Sequence, residues 1–458
     1  MASGPEGAKG GYNPPPLGEP VATRIGPVGP VERFVLPNGL SVLLAPEPRA
    51  VTTSVWVWYR VGSKNEWPGV TGASHWVEHM MFNGSPKFPK GAMDRAIMET
   101  GGYLNAFTDV DFTAYLTTVP AEHAEVPLAI EADRMTRAKL TAEEVERERA
   151  IVLSEREGNE NWPEFRAEEE LYALAFRRHP YRWDPLGFPE DIRTLGAEAL
   201  AEYYRRFYGT RNATLVVTGR FSPEEMRSRI DWLFSPLPAG GEDPAVATVE
   251  PPQQGERRTS LSGPGTTPFL HLGFRSPGIL EERTPAVILL DLLLGGESRM
   301  FSASAWGRAV DHPSARLYRR LVEPGLAVRA TSEFRPRQHP GLFVVQAQAA
   351  EGVALDRVET ALLDELERVA ARGPTPGEMR DIREKVREAA LLAYEGPTRT
   401  AFRLGYFAML GRPGFESELL GRVLTTSTDA VRRAARDLFQ PERRCLVRYE
   451  PTGGADAD

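Results

Sequence analysis

The feature that most constrains the fold is a stretch rich in proline and glycine between two halves that end alike. The stretch SPLPAGGEDPAVATVEPPQQGE, at positions 235–256, is typical of a linker. The halves close with YYRRFYGTRNATLVVTGR and AARDLFQPERRCLVRYEP, and each predicts a helix, an aromatic residue, a short polar turn and a strand. Tyr208 aligns with Phe439, and Leu215 with Leu446, without a gap. The sequence therefore predicts two related domains.

The order of predicted elements places both domains in the α+β class. In the first half, a hairpin signal at Pro37-Asn38-Gly39 joins two strand-like runs, and a helix follows near residues 71–83. The second half repeats strands followed by long helices. We expect an N-terminal flexible arm, a first domain, a linker, a second domain and a tail. Their expected bounds are 1–27, 28–238, 239–256, 257–452 and 453–458.

Composition excludes several classes of partner. The net charge is −8, which argues against nucleic acid or an anionic membrane as the main partner. No run of about 18 apolar residues is present, so we expect no membrane span. The single cysteine, Cys445, leaves neither a disulfide within the chain nor a thiolate zinc cluster. A transition-metal site would therefore have to use histidine and carboxylate.

The first twenty residues, MASGPEGAKGGYNPPPLGEP, lack the apolar core of a signal peptide. We expect a cytoplasmic location for the chain as given. If an export signal has been removed, the expectation becomes a periplasmic or secreted protein.

A short motif carries the chemistry. His75, Glu78 and His79 form the pattern H-x-x-E-H, and on a helix these positions share one face. Two imidazoles and a carboxylate there suit zinc, with the glutamate placed to take a proton from water. The competing interpretation is an amphipathic helix with incidental histidines. Apolar neighbours favour a buried site: Trp76, Val77, Met80, Met81 and Phe82.

Two histidines need a third protein ligand, and the acidic stretch TAEEVERERAIVLSEREG offers candidates. Glu148 and Glu155 are seven residues apart and lie on one helical face, beside the apolar run at 151–153. A carboxylate on the core side of a helix is costly unless it is paired or bound to a metal. Spacing alone leaves the choice between them open.

These residues resemble the pitrilysin/insulinase family of zinc metallopeptidases, which includes the mitochondrial processing peptidases. The resemblance extends from VERFVLPNGLSVLLAP to CLVRYEP. It includes GASHWVEHMMFNGS, GGYLNAFTDVDFTAYLTTVP, VERERAIVLSEREG, HPYRWDPLG and YGTRNATLVVTG. It implies two homologous α+β domains, each a mixed, mainly antiparallel sheet covered by helices, with the zinc site in the first.

The resemblance also implies roles for single residues. His75, His79 and Glu155 correspond to the zinc ligands, and Glu78 to the general base. Glu148 matches a second acidic position that orients the site. Asn105 and Ala106 match a strand that pairs with an extended peptide substrate.

One departure concerns an arginine and a tyrosine that active members carry in a domain facing the zinc. The matching stretch, LYRRLVEPGLAV, is one residue short. It has Val322 where arginine is expected and Val328 where tyrosine is expected. The alternative is a shifted alignment, since Arg319 and Arg320 lie nearby. We expect a heterodimer in which a related chain supplies the pair.

The leading hypothesis is a zinc-dependent endopeptidase that cleaves peptides or unfolded segments inside a clamshell chamber. A non-catalytic peptide-binding or scaffold subunit is the first alternative, and a metal-dependent hydrolase of non-peptide substrates is the second. Against the first alternative, the set His75, Glu78, His79 and Glu155 is intact.

Overall fold

Two sheets organise the chain, one in each half. The computed structural model describes residues 21–24, 29–242, 245–295 and 312–453. Each sheet is mixed, mainly antiparallel and covered by helices. The predicted α+β class with two homologous domains is confirmed. No helix among the described residues is long and apolar enough to cross a membrane.

The first half contains seven strands and eight helices within the described residues. The strands are β1 (Val21–Arg24), β2 (Pro30–Val35), β3 (Ser41–Pro46), β4 (Thr52–Tyr59), β5 (Tyr103–Thr108), β6 (Thr113–Pro120) and β7 (Ala213–Gly219). The helices are α1 (Ala73–Met80), α2 (Ala92–Glu99), α3 (Glu125–Arg137), α4 (Ala142–Glu160), α5 (Pro163–Ala175), α6 (Pro189–Thr194), α7 (Ala197–Phe207) and α8 (Pro223–Phe234).

The described residues of the second half contain five strands and six helices. The strands are β8 (Arg257–Gly263), β9 (Phe269–Arg275), β10 (Ala327–Phe334), β11 (Leu342–Ala349) and β12 (Arg444–Pro451). The helices are α9 (Thr284–Leu294), α10 (Leu355–Arg372), α11 (Pro376–Leu392), α12 (Pro397–Leu410), α13 (Phe415–Thr425) and α14 (Thr428–Leu438).

The two sheets share one topology. The first has the order β1-β2-β3-β7-β4-β6-β5, and the second, from its opposite end, β8-β12-β9-β11-β10. In each, the last strand lies parallel to one neighbour and antiparallel to the other. Strands β5 and β6 thus correspond to β10 and β11, and β7 to β12. Tyr208 and Phe439 both follow the helix that precedes the last strand, as the sequence repeat predicts.

The ends and the linker differ from a simple reading of composition. Strand β1 lies inside the predicted flexible arm and pairs with β2, so these four residues belong to the sheet. Most of the predicted arm and tail lies outside the described residues. In the predicted linker, residues 245–256 contain no helix or strand. The linker is nevertheless bound to the first domain, because the side chain of Glu250 accepts hydrogen bonds from the backbone N–H groups of Arg177, Arg178 and His179 at 2.7–2.9 Å.

The domains exchange one helix each. Helix α5 of the first domain packs on strands β9 and β12 of the second sheet, while α12 packs on β4 and β7 of the first. Both contacts are close. A Cβ on Gly273 of β9 would lie 3.1 Å from Leu171 of α5, and one on Gly405 of α12 would lie 2.0 Å from the Trp58 ring. The two halves therefore share their apolar cores and do not meet at a simple surface.

Helix α1 begins without a side chain from its own cap. Gly72, at φ 86°, occupies the left-handed conformation before Ala73 and offers no side-chain acceptor. Glu66, buried, accepts instead from the backbone N–H groups of Gly72 and Ser74, both at 2.8 Å. Burial raises the pKa of Glu66 to about 8, although the two N–H donors favour its charge.

Because α12 crosses Trp58 at a glycine, Gly405→Ala is expected to destabilise the chain although alanine favours helix. The added methyl would force the helix off the sheet, at a cost of about 1–3 kcal/mol in the free energy of unfolding. Gly421→Ala on α13 is the matched control, since a Cβ there meets nothing within 4 Å. It should stabilise by up to about 1 kcal/mol. Urea unfolding measures both, and equal effects would contradict the close packing.

The raised pKa of Glu66 predicts a pH-dependent stability. The folded state keeps the proton of Glu66 to a higher pH than the unfolded state does. The free energy of unfolding therefore falls as the pH rises from the pKa of Glu66 in the unfolded chain towards 8. In Glu66→Gln, the decline in unfolding free energy between pH 5 and pH 8 should be shallower, by up to about 1.4 kcal/mol per pH unit. Urea unfolding with a chelator present measures it. The exposed Glu198→Gln should follow the wild type, and a wild-type slope in Glu66→Gln would contradict the assignment.

Candidate metal centre

Helix α1 presents both histidines to one point. His75 and His79 lie one turn apart, and their Nε2 atoms are 3.2 Å apart. His75 is buried and His79 partly buried. The expectation that the motif is buried is met, because Trp76, Val77, Met80 and Met81 of the same stretch lie in the core.

Glu155 of α4 reaches the same point. Its Oε2 lies 3.6 Å from His75 Nε2 and 3.4 Å from His79 Nε2. One donor atom from each of the three residues lies within 4.8 Å of the others. Four ligands held tetrahedrally at zinc bond lengths are about 3.3 Å from one another. The three donors therefore fit zinc and leave one position of the tetrahedron to a non-protein ligand.

Glu148, two turns before Glu155 on α4, lies behind His79. His79 Nδ1 donates to Glu148 Oε1 at 3.0 Å, and Asn83 Nδ2 donates to Glu148 Oε2 at 3.0 Å. Because a carboxylate only accepts, this bond places the proton on Nδ1 and leaves Nε2 free for a metal. Of the apolar run beside these glutamates, Val152 is buried but Ile151 is exposed.

The electrostatics of the centre favour a cation. Burial lowers the pKa of His75 to about 4, which keeps it neutral. Burial also opposes a charge on His79, but hydrogen bonds to Glu148 and Glu155 outweigh it and raise the pKa of His79 to about 9. Without a metal, His79 is protonated on both ring nitrogens near neutral pH and lies as a cation between two carboxylates. A divalent cation would take the place of that proton.

Glu78 lies on the same face of α1, between the histidines in sequence. Its side chain is 8% exposed, and Thr108 Oγ1 at the end of β5 donates to its Oε2 at 2.6 Å. Burial raises the pKa of Glu78 to about 7, against the opposing effect of the Thr108 bond. A carboxyl with such a pKa can both take and return a proton near neutral pH.

A cavity of about 400 Å³ opens in front of these groups. His75, Glu78 and Glu155 line it, and so do Ala106 of β5 and Arg337 of the second domain. Strand β5 is the end strand of its sheet, and no other strand in the described part of the chain pairs with its free edge. The two predicted substrate-binding residues occupy different positions. Ala106 lies in the cavity wall, whereas Asn105 is exposed and its Oδ1 accepts a hydrogen bond from the N–H of Ala106 at 2.8 Å.

The stretch aligned with the family's arginine and tyrosine carries neither group at the aligned positions. Val322 ends a π-helical turn, Tyr318–Val322, and packs against the apolar core around the second sheet. Val328 is 54% exposed on β10. The neighbouring arginines pair within their own domain. Arg319 lies 3.2 Å from Glu378, and Arg320 lies 3.2 Å from Asp364.

The sequence interpretation missed three residues that hold the centre: Glu66, Asn83 and Thr108. Asn83 had a signal, since it stands four residues after His79 and would share its face if the helix continued, although α1 ends at Met80. Thr108 and Glu66 had none, because both reach α1 through contacts that only the folded chain creates.

Comparison with known proteins finds two family matches in this chain. Residues 41–184 match the family described as "Insulinase (Peptidase family M16)", and residues 194–386 match "Peptidase M16 inactive domain". The first match contains all the residues of the candidate centre. Together the two matches cover more than half of the chain.

Two relatives and one solved structure match this chain over nearly its whole length and over most of their own. An uncharacterized zinc protease of Bacillus subtilis is 23% identical over 92% of this chain and 99% of its own. The mitochondrial-processing peptidase subunit beta of Blastocladiella emersonii is 25% identical over 91% and 88%. A protease from Helicobacter pylori of known structure superimposes with a TM-score of 0.85 at 23% identity, over 93% and 100%. The chain belongs to peptidase family M16, the insulinase family.

Proposed function

We propose that this chain is a zinc-dependent endopeptidase, with His75, His79 and Glu155 as zinc ligands and Glu78 as general base. The observation that carries the proposal is the convergence of the three donor atoms within 4.8 Å of one another, beside a buried glutamate. Family membership and the relatives named as zinc proteases support it.

Each residue would have a distinct task. A bound Zn²⁺ supplies Lewis acidity, which polarises a peptide carbonyl and lowers the pKa of a water molecule. Glu78 takes the proton of the attacking water and returns it to the leaving amine, which its raised pKa permits. Glu148 fixes the ring of His79, and Thr108 fixes the carboxylate of Glu78.

The substrate would be an extended peptide on the free edge of β5. Backbone groups of Asn105 and Ala106 lie on that strand, whose other side pairs with β6. Pairing of this kind reads the peptide backbone, so selectivity for side chains would be loose. A peptide there would run past Glu78, because Ala106 and Glu78 line the same cavity.

The chain would act as the catalytic subunit of a heterodimer inside a clamshell chamber. The valines at 322 and 328 supply neither a charge nor a hydrogen-bond donor for a tetrahedral oxyanion. Arg319 and Arg320, shortly before Val322, pair with acids of their own domain. A related chain carrying an arginine and a tyrosine would complete the site.

Two variants separate catalysis from metal binding. Glu78→Gln should retain one zinc per chain and lose at least about a hundredfold in turnover, because the amide cannot accept a proton. Glu155→Gln should weaken zinc binding by at least about tenfold, because it removes a charged ligand. Zinc content by atomic emission and cleavage of a quenched peptide measure both. Glu157→Gln, exposed on the same helix, is the control. Wild-type turnover in Glu78→Gln would exclude it as the base.

The heterodimer is tested by adding a partner. The zinc-loaded chain alone should cleave a quenched peptide slowly, and a related chain that lacks H-x-x-E-H but carries the arginine and tyrosine should raise turnover by at least about a hundredfold. Mutating that arginine or tyrosine in the partner should remove the gain. Full activity of this chain as a monomer or homodimer would contradict the proposal.

A further inference from the structure

Two hairpin turns, related by the internal repeat, meet at the edge of the candidate centre. The turn between β5 and β6 spans residues 109–112, and the turn between β10 and β11 spans residues 335–341. Because β5 and β6 correspond to β10 and β11, equivalent parts of the two domains face each other. The first turn belongs to the domain of the candidate centre and the second to the C-terminal domain.

The contact between the turns is made by charged groups. Arg337 of the second turn pairs with Asp109 of the first, and the Arg337 side chain is only 10% exposed. Asp111 is fully buried, and its Oδ2 accepts from the backbone N–H of Gln338 at 3.0 Å. The C-terminal domain therefore binds both carboxylates of the first turn.

A second layer of groups closes around Asp111. Lys64 Nζ lies 3.0 Å from Asp111 Oδ1 and donates to the side-chain carbonyl of Gln338. The hydroxyl of Tyr181 donates to Asp111 Oδ1 at 2.7 Å and accepts from the N–H of His339 at 3.1 Å. Removing one partner from such a buried network leaves an uncompensated charge or dipole, so the network resists opening.

This contact lies one residue from the group that holds Glu78. Thr108 ends β5 and directly precedes Asp109, and its hydroxyl donates to Glu78 Oε2 at 2.6 Å. The hydroxyl of Thr108 also lies 3.4 Å from that of Thr113 across the hairpin. A shift of the turn would therefore move Thr108, and with it the carboxylate of Glu78.

We infer that Arg337 is a positioning residue. Through it, the C-terminal domain fixes the position of the carboxylate of Glu78, the proposed general base. Arg337 holds Asp109, the turn holds Thr108, and Thr108 holds Glu78. The inference rests on the proposed function only for the role of Glu78. The competing possibility is that Arg337, which also lines the cavity, contacts the substrate directly.

The test uses the full zinc-loaded chain, in the assembly that cleaves the quenched peptide. Asp109→Asn removes the charge pair but keeps an oxygen for the N–H of Val110, which the carboxylate accepts at 2.6 Å. Arg337→Gln removes it from the other side. Thr108→Val breaks the last link, and Thr108→Ser restores the hydroxyl.

The matched control breaks a hydrogen bond between the domains away from the turns. Thr218→Val on β7 removes the bond of 2.6 Å that the Thr218 hydroxyl donates to the backbone carbonyl of Pro397, the first residue of α12. This control should leave peptide turnover and amide hydrogen exchange over residues 103–113 at wild-type values.

Three readouts decide the outcome: zinc content, the separate values of kcat and KM, and amide hydrogen exchange over residues 103–113. We expect one zinc in every variant. Asp109→Asn, Arg337→Gln and Thr108→Val should lower kcat by about tenfold or more, with KM within about twofold of wild type. Exchange over residues 103–113 should rise in the first two variants only. Asp109→Asn combined with Thr108→Val should be no slower than Thr108→Val alone, since both act along one path.

Other outcomes overturn the inference. Wild-type exchange and kcat in Asp109→Asn would show that the turn needs no brace. An increase in KM alone in Arg337→Gln would place that arginine on the substrate. If Glu78→Gln keeps wild-type turnover, the proposed function fails, and exchange over residues 103–113 still tests the brace.

Discussion

Helix α5 lies on the second sheet and helix α12 lies on the first, so each half of the chain completes the core of the other. The exchange reaches the candidate centre through α4, which ends at Glu160, three residues before α5 begins. Buried Arg156 of α4 donates to Glu169 of α5 at 2.8 Å, next to Glu155. The position of Glu155 against the histidines of α1 therefore depends on where the second sheet holds α5.

The candidate centre brings three carboxyl groups, those of Glu78, Glu148 and Glu155, to two histidines. Buried Glu148 and exposed Glu155 approach His79 from opposite sides of its ring, and buried Glu78 lies on the same face of α1 as His79. In the absence of a metal cation, His79 is protonated because its pKa is raised, and it supplies one positive charge. A divalent cation supplies more charge and removes the need for that proton, so metal binding and folding of this region should be coupled.

Much of this arrangement could be predicted from residue order. The spacing of His75, Glu78 and His79 predicts their common face, because the helix repeat is local. The same spacing could not separate Glu148 from Glu155, since residues seven apart share a face. The fold places Glu155 at the Nε2 atoms of both histidines and Glu148 at Nδ1 of His79. That distinction depends on the distance between α1 and α4, which no local pattern records.

The exchange of helices and the meeting of hairpin turns were beyond prediction for a related reason. An apolar face shows that a helix is covered, but it does not identify the sheet that covers it, so α5 and α12 gave no sign of crossing. The turns carry charged residues, which are mostly exposed in proteins, yet Asp111 and Arg337 are buried here and Asp109 is partly buried.

The two domains have diverged in what they contribute, although their sheets retain one topology. The first domain carries the candidate ligands and base on α1 and α4. The second domain has valines at positions 322 and 328, and it places Arg337 and Gln338 at the turn that faces the first domain. Val328 lies at the start of β10, which begins at Ala327, and the turn follows the other end of that strand. The contact between the two turns is therefore separated, along the length of β10, from the positions that the two valines occupy.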